Sequence, residues 1–367
     1  MRGIEHSQQQ LFSYVNLEER IPVNHALRPL RVLVDGILKG MDHQLEAVYS
    51  KEGRPSIPSE RLLRASLLQV LFTIRSERQL VEHIEYNLLY RWFVGLGIDD
   101  PVWDHSTFTQ NRDRLLDSEM SGHFFAGVKQ LAEWVKLSGD EHFSIDGTYW
   151  MPGPRTKASC AKGWRQHPPD DNSRNPSRDF AGEKRSNATH ESTTDPDARL
   201  ARKSDGDASR LCYMGHVLME NRNGLVVDVS VSAATGMAER EESLKLLQAN
   251  TKSGATVGED RGYDVDTHIK AVQALGVIPH VAAKRKGSAV PDDIRQSEGY
   301  AISLKIRKRI EEVFGWMKTV GGMRRLKLIG REKVSGQFRF VAAIYNLVRI
   351  GSLTGWWAGR THRDSTP

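Results

Sequence analysis

The chain has 367 residues and a mass of 41.4 kDa, enough for a large core and most simply for two domains. Hydrophobic residues make up 39% and charged residues 27%, which is ordinary for a folded protein. No run approaches the roughly 18 apolar residues of a membrane span, MRGIEHSQQQ does not read as a signal peptide, and a cytoplasmic setting is expected. Two cysteines, Cys160 and Cys212, make neither a disulfide framework nor a thiolate zinc site.

Up to about Ser138 the chain reads as helical. Pro58 and Ser59 open RLLRASLLQVLFTI, and Ser76 with Gln79 forms a capping box ahead of LVEHIEYNLLYRWFVGL, which stops at Gly95. FTQNRDRLL follows as a short basic amphipathic helix. It is either the DNA-facing part of a helix-turn-helix or one more member of a plain bundle.

At Glu141 the texture changes. HFSID predicts a strand that delivers Asp146 at its C-terminal tip. Residues 151–210 are rich in Pro, Ser, Asn, Asp and Arg and predict a loop-rich insertion. LCYMGHVLMENRNGLVVDVSVS then predicts a hairpin about Asn223 and Gly224, with Leu225, Val227, Val229 and Val231 on one face. AEREESLKLLQAN reads as a helix, ATVGED as a strand ending in Asp260, DVDTHIKAVQALG as a helix closed by Gly276, and VIPHVAA as a last strand. This order gives an α/β domain with a mixed sheet over residues 139–350, preceded by a helical domain at 1–138 and followed by a basic tail at 351–367.

Charge is unevenly placed. From Ala301 onward there are 14 Lys and Arg against 4 Asp and Glu, a surplus of +10 that leaves the first 300 residues at −4. A segment this basic favours a polyanion such as nucleic acid. Its first part, KIRKRIEEVFGWMK, predicts a helix that buries Ile306, Ile310, Val313, Phe314 and Met317. Arg307, Glu311 and Lys318 fall on a neighbouring stripe, while Glu312 turns about 100° away. A carboxylate held between cations suits a site that grips metal and phosphate together, although the stretch taken alone reads better as a solvated, ion-paired face.

Asp146, Asp260 and Glu311 are therefore the candidate acids. Phosphodiester chemistry needs an activated oxygen and a stabilised leaving oxygen, and two divalent ions clamped by carboxylates supply both. Hard oxygen ligands point to Mg²⁺ or Mn²⁺. Asp260 and Asp264 also suit helix caps. Arg261 and Tyr263 either touch DNA or pack and solvate. Arg309, Arg324, Arg325 and Lys327 extend the basic surface. His190 and His216 read as ordinary histidines rather than metal ligands.

The series SIDGT, THESTTDPDARLARK, YMGHVLMENRNGLVVDV, ATGMAERE, GEDRGYD and RKRIEEVFGWMK resembles bacterial insertion-sequence transposases of the DDE class, in the IS-five group. The likeness includes HSTFTQNRDRLL and spans nearly the whole chain. It implies an RNase H-like fold, with Asp146, Asp260 and Glu311 as metal ligands and catalytic acids. DNA ends cut and joined to a target, a homodimer on DNA and association with the nucleoid follow from it too. The alternatives are a nuclease without strand transfer and a catalytically impaired DNA-binding remnant. Arg307, Glu311 and Lys318 match the spacing of the family helix, whereas Leu304 stands where a tyrosine is expected. The likeness breaks at Tyr149–Trp164, YWMPGPRTKASCAKGW. With suitable codons a shifted frame there spells LLDAWASNKSFVRKG, the family's usual continuation. Either a tolerant loop has drifted here or two compensating frameshifts bracket the stretch, and the latter predicts a loosened region beside Asp146 with low or absent activity.

Overall fold

The computed structural model describes residues 15–47, 56–115, 118–152, 159–161, 187–202 and 209–356. The helical part runs α1 (Leu17–Arg20), α2 (Leu27–Gly40), α3 (Asp42–Ala47), α4 (Ser59–Leu71), α5 (Glu77–Tyr86), α6 (Leu88–Val94), α7 (His105–Leu115) and α8 (Ser118–Trp134). Ser76 caps α5, its side chain accepting from the Gln79 N–H at 3.1 Å as the capping box predicts. The expected single helix from Leu80 to Gly95 is broken at Asn87. Its backbone is extended and its side chain accepts from Leu89 N and Tyr90 N, so it ends α5 and caps α6.

Next come β1 (His142–Trp150), β2 (Ser159–Ala161), β3 (His190–Ser192), β4 (Arg199–Ala201), β5 (Arg210–Glu220), β6 (Val226–Ala233), α9 (Ala238–Asn250), β7 (Thr256–Glu259), α10 (Asp266–Ala274), β8 (Ile278–Val281), α11 (Asp292–Gln296), α12 (Glu298–Ile306), α13 (Ile310–Thr319) and α14 (Arg331–Leu353). β5 pairs antiparallel with β1, β4 and β6, while β7 lies parallel to β1 and β8 parallel to β7. The resulting order β6-β5-β1-β7-β8 is the mixed, RNase H-like sheet that the resemblance implied. Gly224, at φ 74°, makes the hairpin turn. The alternation expected along β6 fails at Val227: Leu218 pairs with Asp228 and Met219 with Val226, leaving one residue extra. This bulge puts Val226 and Val229 on one core and Val227 against the other.

One core joins the first eight helices to α13, α14 and one face of β5 and β6. VAAIYNLV lies in α14, whose Phe338, Phe340, Val341, Ile344 and Leu347 are all buried, so the basic C-terminal segment is built around a core helix. The opposite sheet face packs Phe143, Ile145, Leu218 and Val257 against α9 and α10. Most of 151–210 and the tail beyond 356 lie outside the described residues. The described part of the insertion is docked: Tyr213 Oη donates to buried Asp195, and Arg331 N donates to Asp197 at 3.0 Å. At the divergent stretch, Tyr149 and Trp150 are regular strand, and Trp150 is fully buried between Phe314 and Phe338. The loosening expected there does not reach these two residues.

Candidate active site

Asp146 is not at a strand tip. β1 continues four residues beyond it to Trp150, because β5 stays paired along the whole strand. What ends is β7 on the other side. The last parallel pair is Ser144 with Gly258, so two residues further on Asp146 and Asp260 stand level, each on the face its predecessor defines. Asp146 accepts from the Gly147 N–H at 2.8 Å. Asp260 caps a tight turn, Arg261–Tyr263, accepting from Gly262 N at 2.6 Å. Asp264, the other capping candidate, is buried and binds the N–H groups of Lys284 and Ala289 at 2.7 and 2.8 Å, tying down the basic loop after β8.

The face carrying Asp146 is covered by the helix predicted from KIRKRIEEVFGWMK. It is continuous but tightens to a 3₁₀ turn at Arg307–Arg309 between α12 and α13. Ile310, Val313, Phe314 and Met317 are buried as expected, whereas Ile306 is only half-buried. Gly258 makes the approach possible, since a Cβ there would lie 3.2 Å from Arg307 Cβ and 3.4 Å from the Ser303 carbonyl. Lys318 Nζ donates to Thr148 Oγ1 at 2.6 Å and lies 5.4 Å from the Trp150 ring centroid, pinning α13 to the strand two residues past Asp146.

Electrostatics identify which acids face one another. Burial raises the Asp146 carboxyl to about 6; the Gly147 N–H and Arg307 act against this, and Asp260 and Glu311 add to it. The field of Glu312 is felt instead at Tyr345 of α14, where Arg309 also acts. Arg307 stands against Gly258 and Lys318 is bonded to Thr148, and Glu311 lies between them on the same stripe of the helix, with Glu312 about 100° round it. Glu239, in the first turn of α9, was not singled out by the sequence. Burial raises it to about 7, Asp146 and Asp260 add to the rise, and Arg240 opposes it. It was hidden in AEREE, where several acids share one helical turn and only the fold sorts them.

Other expectations meet different outcomes. Tyr263, a candidate DNA contact, is 1% exposed and packs beside His268, so it presents no surface to DNA. Arg261, Arg309, Arg324 and Arg325 are exposed. Arg325 lies beside the strand, its backbone bridged to Met151, with Leu326 N bonded to the Met151 carbonyl at 2.9 Å. Lys327 donates to the Arg75 carbonyl at 2.6 Å, and desolvation beside Arg112 lowers its pKa. It borders a cavity of about 230 Å³ between the helical part and α14. Arg112 of the supposed DNA-facing helix is paired to Glu77 and Asp113. His216 is buried, its Nε2 bonded to Ser232 Oγ at 2.8 Å, and burial moves the Cys212 thiol up to about 12.

Residues 138–347 match the family described as the Transposase DDE domain, well over half of the chain. The chain belongs to the DDE transposase family. Residues 15–114 match a second one, the Transposase domain DUF772. This places the protein among DNA transposases, enzymes whose strand chemistry depends on divalent cations. None of the curated proteins matches the chain. Among solved structures, the Mos1 transposase paired-end complex with left transposon end is similar at 11% identity, over 82% of this chain and 81% of that one, with a TM-score of 0.20. The Mos1 mariner paired end complex with Mn is similar at 13% identity, over 88% and 91%, with a TM-score of 0.19.

The donor set fits a divalent cation of the hard, oxygen-loving kind. Carboxylates raise one another's pKa across a partly buried gap, an arrangement that a cation relieves. Among the described residues no three His, Cys, Asp or Glu side chains stand close enough together to hold a metal ion as they are. An open site that water and phosphate complete is what magnesium chemistry uses.

Proposed function

We propose that Asp146, Asp260 and Glu311 hold two divalent ions, Mg²⁺ or Mn²⁺, and that this transposase cuts the ends of its element and joins them to target DNA. When bound, such ions supply a Lewis acid and a water of lowered pKa. The chain's own residues do the rest. Arg307, half-buried beside Asp146, and Lys318, anchored on Thr148, hold the scissile phosphate, and Arg261, Arg324 and Arg325 hold the flanking backbone. Arg309, on the Tyr345 side, contacts DNA further from the chemistry. The single observation that carries the reading is the level placement of Asp146 and Asp260 beneath a helix on which Glu311, rather than Glu312, faces them.

In this reading residues 1–138 form the helical DNA-binding part, 139–350 the catalytic part and 351–367 a basic tail. The protein works as a homodimer on paired ends in the cytoplasm, at the nucleoid, and it belongs to the IS-five group. The test uses labelled DNA from the flanks of its own gene with Mg²⁺ and an unlabelled target. Joined products are expected and should vanish in Asp146→Asn. Cleavage without joining would make it a nuclease, and salt-dependent binding with neither would make it an impaired remnant.

A further inference from the structure

Glu239 comes from the opposite side of the sheet. α9 packs on the face of Phe143 and Ile145, yet its first turn overhangs the point where β1 has lost β7 as a neighbour. Gly147 is what admits it. A Cβ at that position would stand 3.1 Å from Glu239 Cγ, 3.2 Å from its Oε1 and 3.2 Å from His216 Nδ1, close enough that these side chains would have to give way. The glycine of SIDGT thus leaves room for a fourth carboxyl group beside Asp146.

A second observation lies against it. The Tyr263 hydroxyl is buried, has no hydrogen-bond partner, and has Glu239, Glu259, Asp146 and Asp260 as its charged surroundings. Glu259 is already engaged, accepting from Ser243 Oγ at 2.6 Å and lying 3.0 Å from His268 Nε2. A buried donor left without an acceptor is costly, and it is satisfied when a neighbouring carboxyl group or a water settles against it. Here the groups around it are acids that a cation would draw together.

We propose that Glu239 is a fourth acid of the metal site, reaching the ion held by Asp146 and Asp260 directly or through one of its waters. The proposal rests on the triad reading above and adds to it a ligand from the other face of the sheet. Such a group steadies the position of the ion when DNA is absent, where a site made of Asp146 and Asp260 alone would leave most of the shell to water.

The test is Mn²⁺ binding to the full chain without DNA, by calorimetry and by electron paramagnetic resonance of the free ion. Glu239→Gln, which keeps the shape, should weaken Mn²⁺ binding about tenfold. Gly147→Ala, which displaces the same side chain, should do likewise, and Glu312→Gln should bind as the unaltered protein does. Asp146→Asn separates the two ideas. If it loses Mn²⁺ while Glu239→Gln binds normally, the fourth-acid proposal is overturned and the triad stands. If Asp146→Asn binds normally, the triad reading falls and the fourth-acid proposal, which rests on it, falls with it.

Discussion

Gly215→Ala probes how tightly α13 is braced against the sheet. Gly215 lies opposite Thr148 in the β1–β5 register, and a methyl group there would stand 1.9 Å from Trp150 Nε1, 2.6 Å from Cδ1 and 3.1 Å from Phe338 Cε1. Contact begins near 3.5 Å, so the indole must move by roughly 1.5 Å. It has little room to do so, being fully buried with ring centroids 5.5 Å from Phe338 and 6.4 Å from Phe314. Overpacking of this kind costs about 1–3 kcal/mol, and walls made of rings argue for the upper end. At about 2–4 °C per kcal/mol, or somewhat less for a longer chain, the melting temperature should fall by roughly 6 °C. Activity should fall further, because Phe314 is one turn from Glu311 and a displacement of about 1 Å at reacting groups costs on the order of a hundredfold. Thermal melts and metal-dependent cleavage would be compared for Gly215→Ala, Trp150→Phe and the pair. The double variant should recover about 1–3 kcal/mol relative to additivity, since the smaller ring vacates the space. An unchanged melting temperature, or strict additivity, would refute this packing argument.

Glu311→Gln should abolish cleavage and Glu312→Gln should leave it within a few-fold in the same end-cleavage assay; the reverse pattern would mean the helix is turned differently. Arg324→Ala with Arg325→Ala should weaken binding to all DNA sequences and lower the slope of log K against log salt by about two, one per phosphate contact, as measured by fluorescence anisotropy. His216 should make stability acid-sensitive. Burial lowers it to about 4, so between pH 6.5 and 4 the unfolded chain binds a proton that the folded chain refuses, and stability falls as pH drops through that window. From pH 6.5 to 5 this amounts to about 2 kcal/mol, and urea melts of His216→Gln at the two pH values should show a loss smaller by about that much.

The acids were legible in the sequence for different reasons. Asp260 follows a short strand and opens a turn, a local pattern that survives folding unchanged. Glu311 was separable from Glu312 because helical geometry fixes which side each takes, and the 3₁₀ turn at Arg307–Arg309 left that order intact. Asp146 was placed at a strand tip and lies mid-strand, since one sequence shows where alternation stops and not how far a partner strand prolongs it. The bulge at Val227 escaped notice for the same reason: pairing with β5 decides it. Tyr263 was read as equally suited to DNA and to packing, and its neighbours in space, His268 and the covering carboxyls, decided for packing.

Gly147, Gly215 and Gly258 show what a sequence reading of this chain could not supply. Each sits in a strand, where glycine weakens packing, and each lies where another element comes close: Glu239 over Gly147, Trp150 over Gly215, Arg307 over Gly258. The three contacts come from different parts of the chain and converge on the stretch of β1 that carries Asp146. With no side chain at these positions, α9 and α12 can bring charged groups to within contact of the backbone while the aromatic wall behind them stays closed. Side chains at these positions would meet Glu239, Trp150 and Arg307 and press them away from the sheet, at a cost in packing that the Gly215→Ala melt reads directly. Glycines that look like defects in the sheet are what let three elements close on the strand that carries Asp146.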